Sequence, residues 1–206
     1  MLFRSFGLMD EVEQLVCGYL RRNGCQRLSY TALFLEYLGI DPLRAATEEL
    51  ATLARHRLDT DFADASRDTW LGLLLSGVIE PQLAHRGLVF VFDYPATQAA
   101  LAKVGARPDG AAVGHRFELY VDGVELANGY WELLDESELG ARFSLDVQVR
   151  EAMNRPLRHP DTRLLAALQA GLPSCSGVAL GIDRLLMLAA GTPTLSSVTS
   201  FSWSNA

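Results

Sequence analysis

The sequence holds few of the residues that usually build metal centres or covalent active sites. Only three cysteines occur among the 206 residues, and their spacing fits no zinc-binding pattern. The four histidines lie far apart in the chain and form no ligand motif. A small, odd number of cysteines is typical of reduced thiols, so we expect a cytoplasmic protein without disulfides.

Long hydrophobic runs and an excess of basic charge are also missing. The stretch WLGLLLSGVI is too short to cross a bilayer, and GVALGIDRLLMLAAG is interrupted by Asp183 and Arg184. The opening MLFRSFGLM runs directly into acidic residues, unlike a secretory signal. Asp and Glu outnumber Lys and Arg by 25 to 18, which disfavours a broad nucleic-acid-binding face. We therefore expect a soluble protein with no membrane partner.

The common phosphate-binding loops and nucleophile motifs do not occur either. Neither G-x-G-x-x-G nor the Walker pattern is present, and there is no G-x-S-x-G element. A nucleotide or substrate site in this chain must therefore be built from other side chains.

The first part of the chain has the pattern of helices. Apolar residues recur at helical spacing over 8–22. Ser29, Thr47 and Ser66 are predicted to cap three further helices, the last over about 67–78.

The second part changes to the pattern of strands. LVFVFDYP, 88–95, is typical of a buried strand, and Asp122-Gly123 between two alternating runs predicts a β-hairpin. The other predicted elements are a helical turn at 97–103, helices over 137–155 and within 159–171, a strand at 176–182, and a helix ending at Gly191. Together the two parts predict one α+β domain over 1–206, mainly helical over 1–86, with a mostly antiparallel sheet and helices on one face over 87–206.

Three glutamates in the hairpin region suggest a binding site. Glu118, Glu125 and Glu132 are spaced seven residues apart. A two-residue turn pairs Tyr120 with Glu125 and Glu118 with Ala127, so Glu118 and Glu125 share one face. Two carboxylates so placed repel each other unless a cation such as Mg²⁺, itself holding phosphate oxygens, lies between them. The alternative is a solvated outer face on which the acids need no partner.

Strict alternation would put Asn128 and Glu132 on the face opposite Glu125. A β-bulge at residues 127–129 would shift the register and bring these side chains to one side. The pair Asn128-Gly129 tolerates the left-handed backbone that such a bulge often needs. We therefore interpret this pair as the site of a bulge that directs the following side chains to the face of Glu125.

The stretch SGVALGIDR, 176–184, is the second unusual feature. A strand of small residues allows a flat ligand to approach the backbone, and Arg184 at the helix start suits a phosphate. The alternative is a buried structural pair of Asp183 and Arg184, with the glycines serving tight packing.

These segments resemble the class II aminoacyl-tRNA synthetases of the lysine type. The residues that carry the resemblance are RFELYVDGVELANGYWELLDESELGARF (116–143), FDYPATQAALAK (92–103) and SGVALGIDRLLMLAAG (176–191), the last similar to motif 3 of the class. The resemblance is strongest to a truncated paralogous branch whose members modify elongation factor P. It covers nearly the whole chain, but motifs 1 and 2 have no counterpart, so it implies an N-terminally truncated catalytic domain with an antiparallel sheet.

The resemblance also implies roles for single residues. Glu118 and Glu125 would hold Mg²⁺ and the phosphates of ATP, and Arg184 would contact the γ-phosphate as the catalytic arginine. Leu126 would line the adenine site, and Gly181 would let the nucleotide approach. The lysine pocket would consist of Asn128, Tyr130, Glu132 and Ala179, with Glu132 pairing an amino group and the methyl group of Ala179 favouring β-lysine.

Three functions follow as alternatives. The first is ATP-dependent activation of lysine or β-lysine as an aminoacyl-adenylate, followed by transfer to a lysine of elongation factor P. The second is a non-catalytic paralogue that binds amino acid or nucleotide, and the third is a fragment of a lysyl-tRNA synthetase. Ala179 and the missing anticodon-binding domain disfavour a tRNA partner. An exposed sheet edge would favour a homodimer.

Overall fold

A six-stranded sheet forms the centre of the described structure. In the computed structural model, residues 3–60 and 65–201 are described. The strands are β1 (Gln26–Ser29), β2 (Leu88–Pro95), β3 (Val104–Ala106), β4 (Ala112–Val121), β5 (Val124–Trp131) and β6 (Ser176–Leu180). They lie in the order β1-β2-β4-β5-β6, with β3 beside β4, and β1-β2 is the parallel pair within this sheet. The predicted mostly antiparallel sheet is confirmed, whereas β1 and β3 were not predicted.

Helices flank the sheet. They are α1 (Phe3–Leu20), α2 (Tyr30–Leu38), α3 (Thr47–Leu58), α4 (Arg67–Leu74), α5 (Glu80–Leu83), α6 (Glu136–Ala152), α7 (Thr162–Ala170) and α8 (Ile182–Ala190). The hydroxyls of Ser29 and Ser66 accept the predicted capping hydrogen bonds from Ala32 and Thr69, at 3.1 and 3.2 Å. Thr47 is not the N-cap, because the helix already includes it and Ala46 holds the cap position. No helix of the described residues is both long and apolar enough to span a membrane.

Apolar residues of the sheet are buried on both of its faces. Face A carries Val89, Val91, Tyr94 and Tyr120, which pack against α2, α3 and α4. Face B carries Phe90, Phe117, Leu119 and Leu126, which pack against α1 and α8. The expectation of helices on one face only is therefore wrong. The physical reason is visible in LVFVFDYP, whose consecutive residues are apolar and so supply both faces.

The hairpin between β4 and β5 has the predicted turn. Asp122 and Gly123 both have positive φ, 50° and 82°, as a type I′ turn requires. Asp122 also forms a 2.7 Å ion pair with Arg22 at the end of α1. The turn therefore fixes the register of the two strands that carry the hairpin acids.

Gly129 is tightly enclosed on face B. A Cβ atom at this position would lie 2.3 Å from Cζ of Phe117, which is fully buried. We expect Gly129→Ala to lower the free energy of unfolding by about 1–3 kcal/mol through overpacking. A Cβ atom at Gly140 in α6 would meet no other atom within 4 Å, so Gly140→Ala should be neutral or stabilising by up to about 1 kcal/mol. Urea unfolding of both variants checks this, and equal effects would contradict it.

Candidate active site

A β-bulge in β5 sets the arrangement of the hairpin acids. Tyr120 pairs with Glu125 and Leu119 pairs with Ala127, so Leu126 is the extra residue. Glu118 consequently pairs with Asn128 and not with Ala127 as expected. The predicted bulge exists, but it lies at Leu126 and not at residues 127–129. Its effect is the predicted one, since it brings Asn128 to the face that carries Glu118.

Glu118 is the centre of a buried hydrogen-bond network on face A. One carboxylate oxygen accepts from the hydroxyls of Tyr94 and Tyr120, both at 2.6 Å. The other accepts from the guanidinium of Arg116 and from the amide of Asn128, the latter at 3.1 Å. The residue is only 6% exposed, so the alternative of a solvated acid is wrong for Glu118.

Arg116 holds this network in place. Its guanidinium lies over the ring of Tyr94, 4.6 Å from the centroid, and donates to the carbonyl of Gln98 at 3.0 Å. It also donates to the side-chain oxygen of Asn128 at 3.4 Å. Arg116 therefore links Glu118, the acid expected to bind the nucleotide, to Asn128, whose amide is expected to bind the amino acid. It is also the cation that relieves the charge of Glu118.

A further acid, Glu80, approaches the network from α5. The hydroxyl of Tyr120 lies 3.0 Å from its carboxylate. Burial and the charges of Glu118 and Glu125 raise the pKa of the Glu80 carboxyl. A π-helical turn, Leu75–Ile79, precedes this residue and joins α4 to α5.

Glu125 and Arg184 meet at the open side of the network. The guanidinium of Arg184 donates to the backbone oxygen of Glu125 at 2.5 Å and lies 3.9 Å from its carboxylate. Both side chains are nearly half exposed. Burial and the charge of Glu118 raise the pKa of the Glu125 carboxyl, while Arg184 opposes that shift. Asp183 is exposed, so the alternative of a buried Asp183–Arg184 pair is wrong.

Glu132 differs from the other acids in having no partner. Its carboxylate receives no hydrogen bond or ion pair from any side chain in the described parts of the chain. It lies on the wall of a cavity of about 340 Å³, and burial raises the pKa of its carboxyl. A Cβ atom at position 177 would lie 2.5 Å from its oxygen, so Gly177 makes room for the carboxylate. A carboxylate that is partly desolvated and unpaired favours a cationic ligand.

The remaining predicted pocket residues lie along β5 and β6. Asn128 pairs with Ala179 and Tyr130 pairs with Gly177, so these side chains share the face that carries Glu118. Ala179 is exposed and Tyr130 is half-buried. This register gathers the residues of the predicted lysine pocket on one side of the sheet.

Leu126 and Gly181 meet through their backbones. The Leu126 side chain is 2% exposed and packs in the face B cluster, because the bulge turns it away from the acids. Only its backbone is therefore available to a ligand on face A, and its carbonyl accepts from the Gly181 amide at 2.9 Å. The nearest contact of a Cβ at Gly181 would be 3.5 Å, an ordinary distance, so the protein itself does not require glycine there.

The donor set fits a magnesium ion only in part. The described residues contain no group of three acids, cysteines or histidines placed to hold a metal. Mg²⁺ commonly uses one or two carboxylates and completes its shell with water and substrate phosphates. Glu125 has free oxygens for this purpose. Glu118 already accepts four hydrogen bonds, about the capacity of a carboxylate, so a cation there would displace one donor.

Comparison with known proteins shows the family to which the chain belongs. A family model described as tRNA synthetases class II (D, K and N) matches residues 9–205. The chain belongs to this class II synthetase family.

Three curated relatives of the class II synthetase family share one name, elongation factor P–(R)-β-lysine ligase. The relative from Haemophilus influenzae strain PittGG is 44% identical over 99% of this chain and 62% of its own length. The relative from Pasteurella multocida is 43% identical, also over 99% of this chain and 62% of its own length. The relative from Proteus mirabilis is 44% identical over 97% of this chain and 61% of its own length. The chain thus spans about three fifths of the length of these synthetase-family relatives.

Sequence reasoning missed several residues that support Glu118 in this candidate site. Arg116 alternates with Glu118 and Tyr120 along β4, so its place on their shared face could have been found from the period of two. The position of Tyr94 could not have been found in this way. A register irregularity at Asp93, which has a φ of 58°, returns the side chain of Tyr94 to face A. Glu80 lies 38 residues before Glu118, and its approach depends on tertiary packing.

Proposed function

We propose that this chain activates β-lysine with ATP and transfers the β-lysyl group to a lysine of elongation factor P. The observation that carries this proposal is the unpaired, partly buried carboxylate of Glu132. It lies over Gly177, on the face of the sheet that carries Asn128, Tyr130 and Ala179. A carboxylate in this setting suits the side-chain amine of a lysine-like substrate. The names of the relatives support β-lysine and elongation factor P.

The proposed reaction has two steps. The carboxylate oxygen of β-lysine attacks the α-phosphorus of ATP, which forms the aminoacyl-adenylate and releases pyrophosphate. The ε-amine of the acceptor lysine then attacks the acyl carbon and releases AMP. In this chain Glu132 would hold the substrate amine, and Asn128 and Tyr130 would orient the substrate.

The nucleotide would lie beside Glu125 and Arg184. The guanidinium of Arg184, already at the edge of the network, would bind a terminal phosphate oxygen. A magnesium ion, when bound, supplies charge neutralisation at the phosphates. Glu125 would hold it directly, and Glu118 would do so after releasing one tyrosine hydroxyl.

Pyrophosphate exchange tests the proposal. We expect the chain to exchange labelled pyrophosphate into ATP when β-lysine is present, and much less with α-lysine or without amino acid. Exchange that prefers α-lysine would instead support a lysyl-tRNA synthetase fragment.

A second candidate function is binding without catalysis. The saturated hydrogen bonding of Glu118 favours it. β-Lysine binding by calorimetry without any exchange would support this candidate and contradict the first.

The affinity for β-lysine should depend on pH through Glu132. Binding of an amine needs the ionised carboxylate, and burial raises the pKa of this group in the free protein. Affinity should therefore fall as the pH falls through this raised pKa. Calorimetric titrations between about pH 8 and pH 5 measure the effect. A flat profile would contradict the role of Glu132, and Glu151→Gln, an exposed change on α6, should leave the profile unchanged.

A further inference from the structure

A cavity of about 420 Å³ is lined by residues such as Phe6 and Phe92 on face B, and also by Arg116 of the Glu118 network. It is enclosed by the start of α1, the end of β2, the β3–β4 connection and the adjoining parts of β4 and β5. Its volume falls within the range of about 300–1,000 Å³ typical of small-molecule sites. None of the residues assigned above to β-lysine or ATP lines it.

The walls of this cavity are flat and aromatic. Phe6 and Phe92 lie edge to face with their centroids 5.4 Å apart. The rings of His115 and Trp131 are 5.2 Å apart. Such walls suit a planar apolar body, because stacked and edge-on contacts both favour aromatic rings.

One charged acceptor lines the cavity without being engaged. Asp93 lies at the irregularity of β2 with a left-handed φ of 58°, and no described residue donates a hydrogen bond to its carboxylate. Burial raises the pKa of the Asp93 carboxyl, and the charges of His115 and Arg107 oppose this shift. Burial also lowers the pKa of His115, and the charge of Asp93 opposes this shift. Left-handed backbone outside glycine is uncommon and often marks a functional position.

The two arginines of the lining are already committed elsewhere. Arg116 forms its ion pair with Glu118. Arg107 donates to the hydroxyl of Thr31 at 2.9 Å and lies 3.8 Å from Asp109. Its charge is therefore shared with groups outside the cavity. The carboxylate of Asp93 can still accept hydrogen bonds, and it requires a hydrogen-bond donor or a cation.

We propose that this cavity binds a small aromatic amine, with the ring between the aromatic walls and the ammonium group on Asp93. The proposal does not rest on the proposed ligase reaction, because none of the residues assigned to β-lysine or ATP lines this cavity. A protonated amine satisfies the carboxylate, and the planar body replaces water against the aromatic walls.

Calorimetric titration with three probes tests the proposal. The probes are tryptamine, its neutral analogue 3-ethylindole and the anion indole-3-propionate. We expect tryptamine to bind at least about tenfold more tightly than the anion. Asp93→Asn should remove this preference while keeping the fold, because asparagine tolerates a positive φ. The exposed change Glu49→Gln on α3 is the control and should leave binding unchanged.

Two further variants locate the probe. Ala106→Trp, at the exposed rim of the cavity, should abolish binding of all three probes. Glu132→Gln should leave tryptamine binding unchanged, which separates this cavity from the proposed lysine pocket. The proposal is overturned if tryptamine fails to bind at about 10 mM, if the anion binds more tightly, or if binding survives Ala106→Trp.

Discussion

Glu132→Gln should lower the affinity for β-lysine by about 30-fold or more. The amide has the size of the carboxylate but no charge, and loss of one partner from a desolvated charge pair costs about 2–5 kcal/mol. Calorimetry of the wild-type chain and the variant measures the change directly. The exposed Glu151→Gln removes the same charge on α6 and should change the affinity by less than about twofold.

The same substitution should make the ligand-free protein more stable. Burial raises the pKa of Glu132 in the folded chain, so the folded state holds this proton more tightly than the unfolded state. Its contribution is therefore present at low pH and is lost as the pH rises through the raised pKa. Thermal unfolding of Glu132→Gln should show higher stability than the wild type at pH 7 and no difference below about pH 4. Lower stability at pH 7 would indicate a structural acid with an unrecognised partner.

Glu118→Ala should lower the free energy of unfolding by about 3–5 kcal/mol. This is the cost of breaking a buried ion pair and leaving its cation uncompensated, here the guanidinium of Arg116, whose side chain is 18% exposed. The hydroxyls of Tyr94 and Tyr120 would lose their acceptor as well. Urea unfolding measures the loss, and a value below about 1 kcal/mol would mean that the network contributes little.

Two companion variants separate charge from hydrogen bonding in this network. Tyr94→Phe removes one of four donors and should cost only about 1 kcal/mol. Glu118→Leu combined with Arg116→Met removes both charges together. It should be less destabilising than Glu118→Ala alone, because no buried charge is left unpaired. A double variant at least as unstable as the single one would exclude the charge explanation.

Local signals predicted the elements whose physical cause is local. Ser66 caps its helix and Asp122-Gly123 forms its turn because the deciding hydrogen bonds and φ angles involve only neighbouring residues. β1 has four residues and no alternating pattern of its own, and it exists because it pairs with β2, about sixty residues later. The helices on both faces were indicated by the unbroken apolar run of β2.

The candidate site was predictable as a set of acids but not as a geometry. The predicted turn placed Glu118 and Glu125 on one face, and Glu132 joined them only through the bulge that we assumed. The position of the bulge was not predictable, because Leu126 carries no special backbone preference and is placed by burial in the face B core. The partners of Glu118 from distant segments, Tyr94 and Glu80, required the folded chain.

The single extra residue at Leu126 also limits how this hairpin can change length. Before the bulge an odd-numbered residue, Glu125, lies on the face that carries Glu118. Beyond the bulge the even-numbered residues lie on that face. Deleting Leu126 alone would leave Glu125, Ala127 and Asn128 opposite Tyr120, Leu119 and Glu118 and would preserve the direction of the side chains beyond it. Removing two residues between Glu125 and Asn128 would instead turn Asn128, Tyr130 and Glu132 together toward the hydrophobic core. Natural variants of this segment should therefore tolerate the loss of one residue, whereas the loss of two should empty the amine pocket in one step.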